Sequence, residues 1–226
     1  MKYIFLTLIS IQFGCSSFYQ TKTLAYSTRT SAFYRIDKNE FANRELLDAA
    51  FKHPYKIESS KIEEIIGNLR FRKTTRIGEL RDYIFHQQEL STLSKDLNQV
   101  LENIKPKEVI ETISMYDHSQ SVISNYKRTT FLMWIDDAGL NILFGQIQSE
   151  VTKDISRNFL DWSQTPRILL QTQPDENDIE EEKEPSYVFK KINGFYNKKW
   201  LIFSLKDLTR YKLKERRFTS SSKKDE

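Results

Sequence analysis

Hydrophobic and polar residues follow a helical spacing in the first part of this chain and a strand-like spacing after residue 107. The clearest helix begins at a capping box formed by Ser60 and Glu63. Its apolar residues recur every three or four positions, as on one helix face: Ile62, Ile65, Ile66 and Leu69. A longer helix is predicted over 88–103, where Pro106 ends it. A third, shorter helix is predicted from a capping box at Asp37 and Glu40 to about residue 50.

From residue 107 onward, apolar residues alternate with a period of two, which predicts strands. The predicted strands cover 109–116, 129–135, 140–147, 167–172, 187–192 and 195–204, and an earlier one lies within 26–36. Two hairpin turns connect them, a four-residue loop over 136–139 and a type I′ turn at Asn193-Gly194. Both faces of 129–135 carry large apolar residues, which predicts a central strand covered by helices on one side and partly by a partner on the other.

This order of elements predicts an α+β fold, with an antiparallel sheet of about five to seven strands and about three short helices packed against it. A single domain is expected over 26–213. The acidic segment 174–185 is interpreted as a solvated loop, and 214–226 as a disordered basic tail. Trp134, Phe144 and Trp200 are expected in the core.

Composition narrows the chemistry further. The chain has 226 residues, of which 38% are hydrophobic and 13% aromatic, so it can bury a substantial core. Six Gly and five Pro argue against glycine-rich phosphate loops, and a single Cys excludes an intrachain disulfide or a Cys-based zinc site. A net charge of +4 is too small to indicate a nucleic-acid-binding protein.

The N-terminus has the layout of a secretory signal peptide. One Lys at position 2 precedes the largely apolar run 4–13, and Gly14, Cys15 and two Ser follow it. The run is too short for a transmembrane helix, which needs about 20 apolar residues. Cys15, the one Cys of the chain, therefore stands directly after the apolar run.

In these residues the chain resembles a bacterial lipoprotein precursor, in which a signal peptidase cuts before a Cys that carries acyl chains. Gly14 and Cys15 match that cleavage box, whereas Gln12 and Phe13 depart from it, as in the relaxed boxes of spirochaete lipoproteins. The resemblance covers 1–17 and implies a signal peptide over 1–14, palmitate or other acyl chains on Cys15, and a tether over 15–25. It favours the outer membrane or cell surface over the inner membrane. Two alternatives remain open, an ordinary signal peptide cut after Ala25 and a buried N-terminal strand of a cytosolic protein.

Residues with catalytic chemistry are scattered. His53, His86 and His118 lie in separate segments without metal-ligand spacing, so each is interpreted as a loop or surface residue, with no metal, cofactor or catalytic residue predicted. The pair Asp136-Asp137 is interpreted as turn chemistry, because Asp is favoured there for bonding its own backbone.

Two basic stretches are candidates for contact with an anionic partner. The candidate residues are Arg70, Arg72, Lys73, Arg76, Lys212, Lys214, Arg216 and Arg217. The alternative is that these residues are charged outer faces that keep the domain soluble.

The sequence thus predicts a lipid-anchored cell-envelope protein with a binding or structural role and no catalytic activity. Its partners would be the membrane, through Cys15, and an envelope protein or anionic polymer, with no nucleic acid. Two alternatives are an envelope hydrolase or transferase with a scattered site, and an assembly or pilot lipoprotein of a surface or secretion apparatus.

Overall fold

The computed structural model describes residues 20–76, 78–117, 126–151, 165–171, 177–181 and 186–216. These ranges contain eleven strands and two α-helices, so that the described structure is mostly antiparallel sheet. The strands are β1 (Thr23–Ser27), β2 (Ser31–Asp37), β3 (Arg70–Thr75), β4 (Gly78–Tyr83), β5 (Glu108–Asp117), β6 (Tyr126–Ile135), β7 (Leu140–Phe144), β8 (Ser149–Glu150), β9 (Asn177–Ile179), β10 (Val188–Ile192) and β11 (Phe195–Phe203). The helices are α1 (Ser59–Ile66) and α2 (Gln87–Leu101).

The strands form two sheets. The larger sheet has the order β1-β2-β5-β6-β7-β11-β10, with the short β8 paired to β6, and the smaller has the order β4-β3-β9. Every pairing between described strands is antiparallel. The predicted α+β class and antiparallel sheet are therefore confirmed, although the fold contains more sheet than helix.

Strand β6 lies in the middle of the large sheet and is buried on both faces. Phe131 and Met133 point into the core beneath α1 and α2, whereas Leu132 and Trp134 belong to a second core on the other face. That second face, where the sequence suggested a partner, is covered by this chain's own Leu47 and by side chains of the segment 165–171. The three aromatics expected in the core, Trp134, Phe144 and Trp200, are all buried.

The helix predictions are right for two of the three segments. Helix α2 matches 88–103 closely, and α1 buries Ile62, Ile65 and Ile66 as its spacing predicts. The capping box expected from Ser60 is absent, because α1 already begins at Ser59 and Glu58 occupies its N-cap without a side-chain hydrogen bond. The helix predicted from 37 to about 50 is wrong. Two 3-10 turns, Lys38–Glu40 and Arg44–Leu47, replace it.

The strand prediction over 167–172 is also wrong, for an instructive reason. Ile168 and Leu170 are buried and Leu169 is 40% exposed, which gives the period of two that the sequence shows. The described part of this segment lies against the second face of the sheet without pairing as a strand. The alternation of apolar residues here results from the burial of one side of an extended segment, not from strand pairing.

Both predicted hairpin turns are present. Asp136 accepts backbone hydrogen bonds from Ala138 (2.8 Å) and Gly139 (3.3 Å), which confirms the turn interpretation of its carboxylate. Gly139 has a φ of 136°, and a Cβ there would lie 2.0 Å from the carbonyl oxygen of Phe203. The second turn has φ values of 49° at Asn193 and 88° at Gly194, as a type I′ turn requires.

Two predicted boundaries differ from the structure. Strand β1 begins at Thr23, inside the range expected to be a tether. The backbone N–H of Thr21 donates to the Glu40 carboxylate, and the Lys22 ammonium lies 3.0 Å from the buried carboxylate of Glu111. At the other end, the described chain continues to Arg216, within the range expected to be a disordered tail.

Candidate functional site

The basic strand β3 and the acidic segment around β9 are neighbours in space. β3 lies between β4 and β9 in the small sheet, so Arg72 pairs in register with Asp178. The guanidinium of Arg72 lies 3.6 Å from the Asp178 carboxylate, and that of Arg70 lies 3.3 Å from Glu180. The interpretation of 174–185 as a solvated loop is therefore wrong for β9, because pairing with β3 gives its backbone a hydrogen-bonding partner.

This arrangement changes the candidates from the first basic stretch. Arg70 also lies against the Tyr83 ring, with 5.4 Å between the guanidinium carbon and the ring centroid. Lys73 is half-buried within β3, while Arg76 is exposed beyond its end. Exposed ion pairs contribute little stability, about 0–1 kcal/mol each. The positive charges of Arg70 and Arg72 are paired with carboxylates of the same chain. Arg76 is the more exposed candidate for an anionic partner.

The second basic stretch lies in the C-terminal segment, which hydrogen bonds hold against the helical side of the domain. Asn68 binds the backbone of this segment twice, donating to the Lys212 carbonyl (2.8 Å) and accepting from the Lys214 N–H (2.9 Å). Arg216 donates to the carbonyl oxygens of Phe85 and Gly67. Its pKa is lowered by burial. The Arg216 side chain therefore has a structural role. Arg217 lies outside the described residues.

A polar cluster surrounds the N-terminus of α2. The His86 ring caps the helix, because its Nδ1 accepts a hydrogen bond from the backbone N–H of Gln88 (3.4 Å). The Glu89 carboxylate in turn accepts from the backbone N–H of His86 (2.9 Å). The Ser114 hydroxyl, on β5, lies 3.4 Å from Glu89, and the His86 ring stacks on Tyr116 with centroids 4.6 Å apart. Each group of this cluster bonds to a helix end or to the sheet beneath it.

Burial shifts the acid–base behaviour of this cluster. It raises the pKa of Glu89 from 4.5 to about 7, although hydrogen bonds from His86 and Ser114 and the charge of Arg216 act in the opposite direction. It also lowers the pKa of His86, with a further lowering from Arg216. A carboxyl and an imidazole with altered pKa values resemble an acid–base pair. Here both groups form the reciprocal hydrogen bonds of a capping box, which is a structural role.

Of the other two histidines, the structure describes His53 alone. His53 is buried, which corrects its interpretation as a loop or surface residue. Its Nε2 accepts from the Ile135 N–H at 3.3 Å. Burial lowers the pKa of His53 to about 4. His118, like Gly14 and Cys15, lies outside the described residues. Among the residues that the structure describes, no group of three His, Cys, Asp or Glu side chains is placed to hold a metal ion.

Two grooves open on the described surface. One, of about 320 Å³, lies between β1 and α2 and is lined by Tyr26, Arg35 and Asn103. The other, of about 170 Å³, lies between the small sheet and the β10–β11 hairpin. Its wall carries charges of both signs, because its lining includes Arg72, Arg81 and Lys198 as well as Glu180 and Glu181.

The β10–β11 hairpin, at one edge of the large sheet, was predicted from the sequence, but the exposure of its apolar side chains was not. Phe195 is 80% exposed, and Tyr196 and Val188 are each 63% exposed. The ammonium of Lys191 lies 5.6 Å from the Tyr196 ring centroid, and that of Lys190 lies 5.3 Å from the Trp200 ring centroid. The signal was present in the sequence, since two aromatic residues follow the Asn193-Gly194 turn and two lysines lie on each side of it.

Comparison with known proteins gives no family for this chain: no family model, no curated protein and no solved structure matches it. No helix in the described ranges is both long enough and apolar enough to cross a bilayer.

Proposed function

We propose that this chain is an exported lipoprotein, held at a bacterial envelope membrane by acyl chains on Cys15, whose domain acts by binding or structural support. The observation that carries the proposal is the position of the one Cys, directly after a short apolar run that follows a lysine. A buried acyl chain contributes about 0.8 kcal/mol per CH₂, and two or more chains give stable anchoring.

The proposed anchor would lie close to the N-terminal edge of the domain. The backbone N–H of Thr21 donates to the Glu40 carboxylate, and the side chain of Lys22 forms an ion pair with Glu111. Five residue steps separate Cys15 from Gln20, and these span at most about 18 Å when fully extended. A lipid on Cys15 would therefore hold the sheet edge formed by β1 close to the membrane surface.

The polar cluster at α2 has a structural role that accounts for its shifted pKa values. Glu89 has a strongly raised pKa, and its carboxylate is already bonded to the His86 N–H and lies next to Ser114. A general acid or base must reach a substrate proton directly or through one water. The hydrogen bonds of Glu89 instead connect the helix end to β5, so the shifted pKa follows from its structural position.

The test is the intact mass of the protein purified from the membranes of a bacterial expression host. We expect a chain of residues 15–226 plus acyl groups, and we expect Cys15→Ala to be uncleaved or released from the membrane. Ser16→Ala is the matched control, and it should be processed like the wild type. An unmodified chain that starts near residue 26, or an intact chain with Met1 in the soluble fraction, would refute the lipid anchor.

A further inference from the structure

The β10–β11 hairpin combines exposed aromatic residues with concentrated positive charge. Phe195 follows the turn and is the most exposed of the large apolar side chains in the described structure, with Tyr196 beside it. From 186 to 206 the chain carries five lysines and no Asp or Glu. An exposed aromatic pair in a strongly basic segment is unusual for a surface whose only requirement is solubility.

The hairpin is held rigidly behind its tip. Trp200 is buried and its indole N–H donates to the Asn141 side-chain oxygen at 2.9 Å. Asn197 is buried too, and its amide donates to the Leu170 carbonyl at 3.5 Å. The exposed aromatics therefore extend from a fixed base, so that binding would require little ordering of the hairpin backbone.

Strand addition by a second copy is disfavoured at this edge. β10 is the outermost strand of the large sheet, but it carries Lys190 and Lys191, and its register with β11 shifts between Phe189 and Lys190. Lysines and bulges on edge strands are features that oppose edge-to-edge pairing. The hairpin thus presents its side chains, rather than its backbone, to a partner.

We propose that the hairpin tip binds the interface of an anionic lipid bilayer, with Phe195 at the level of the acyl-chain boundary and lysines at the phosphate groups. The ring of Tyr196 suits the boundary between apolar and polar layers. Lysine stems can cover apolar surface while the ammonium reaches the headgroups. A soluble anionic polymer would satisfy the lysines, but it offers no apolar layer in which Phe195 could be buried.

The structure separates this contact from the proposed anchor at Cys15. β1 and β10 are opposite edges of the large sheet, and six strand spacings of about 4.8 Å place them about 29 Å apart. The hairpin contact therefore does not require acylation, and the two can be tested separately.

The experiment uses the full chain with Phe195→Trp, a mild change at an exposed site, mixed with vesicles that contain brominated lipid. Bromine quenches tryptophan fluorescence only where the indole reaches the acyl-chain region. The wild-type protein, with its three Trp, gives the background to subtract. We expect the added indole to be quenched in vesicles with 30% anionic lipid and much less in neutral vesicles.

Two further variants make the result specific. Adding Lys191→Gln and Lys198→Gln to Phe195→Trp should reduce the lipid affinity that the quenching reports by roughly 30-fold, since each lysine near an anionic surface contributes about fivefold. Leu80→Trp is the control for exposure, because Leu80 is 44% exposed on β4, outside the hairpin. It should not be quenched.

The outcomes separate the two proposals. If the Phe195→Trp protein floats with the vesicles but the added indole is not quenched above background, the hairpin contact is refuted while the anchor can still stand. Quenching by a chain that also carries Cys15→Ala supports the hairpin contact whatever happens at the N-terminus. Equal quenching in neutral and anionic vesicles, or lysine-dependent binding to a soluble anionic polysaccharide without quenching, would overturn the proposed lipid partner.

Discussion

Replacing Glu89 by Gln should make the protein more stable than the wild type at pH 8 but not at pH 4.5. The carboxyl group of Glu89 is buried at the start of α2, and burial raises its pKa from 4.5 to about 7. A glutamine keeps an oxygen that can accept the hydrogen bond from the backbone N–H of His86, whose nitrogen lies 2.9 Å from the carboxylate oxygen of Glu89. The substitution therefore removes a charge and retains the shape of the cap.

The size of the effect follows from the two pKa values. A carboxyl group whose pKa is raised by folding stabilises the fold fully below the unfolded value of 4.5. This stabilisation is lost as the pH rises through about 7, because the folded protein must then hold a buried charge. At roughly 1.4 kcal/mol per pH unit between the two values, the loss is about 3 kcal/mol.

The assay is urea unfolding of wild type and Glu89→Gln at pH 4.5, 6, 7 and 8. The difference in free energy of unfolding should move in favour of the variant by about 3 kcal/mol across this range, mostly between pH 4.5 and 7. Glu45→Gln is the control, since Glu45 is exposed in the turn Arg44–Leu47. A difference between Glu89→Gln and wild type that is the same at every pH would refute the argument from burial.

Three further predictions concern two buried polar side chains and one tight turn. His53 should titrate near pH 4 by NMR, and a midpoint near 6.5 would contradict its burial. Because the lowered pKa favours the neutral form, His53 contributes about 3 kcal/mol to the stability of the fold above pH 6.5, and this contribution is lost as the pH falls through 4. Asn141→Leu should cost about 2 kcal/mol in urea unfolding, because it leaves the buried indole N–H of Trp200 without an acceptor, and no loss would show that the bond contributes little. Gly139→Ala should lower stability well beyond Gly78→Ala, since the two glycines have φ values of 136° and 134° but only the new Cβ at 139 meets backbone, at 2.0 Å from Phe203; equal costs would mean that φ alone decides.

Local signals in the sequence were sufficient for the turns and for the long helix. The loop at Asp136–Gly139 and the turn at Asn193-Gly194 depend on residues that tolerate positive φ or bond their own backbone, so a few residues specify them. Helix α2 has an uninterrupted apolar stripe over four turns, which only a helix can bury on one side.

Non-local pairing could not be predicted in the same way. The run Arg70–Thr75 has one buried apolar residue, Phe71, and became a strand because β9 and β4 lie on either side of it. Its carboxylate partners Asp178 and Glu180 are about one hundred residues further along the chain. Two opposite charge runs in a sequence do not show whether they meet each other or a separate partner.

The candidate site was predictable only in part for a similar reason. The basic residues were identified by counting, but counting could not show that Arg216 is used to bind the backbone of Phe85 and Gly67. The aromatic residues at 195 and 196 looked like ordinary strand residues, because exposure at a sheet edge depends on strand order. His53 next to a proline resembled a loop residue, and its burial comes from β6, to which its ring bonds.

The pairing of β3 with β9 also bears on when this chain can fold. The small sheet needs residues 71 and 179 to meet, and β2 likewise pairs with β5 across a long separation. Closing such loops costs entropy before any contact is gained, so proteins rich in distant pairings fold in milliseconds to seconds. If the chain is exported as proposed, slow sheet closure would leave it unfolded long enough to be threaded through a translocation channel. The same topology that stabilises the finished domain would then delay folding until after transport.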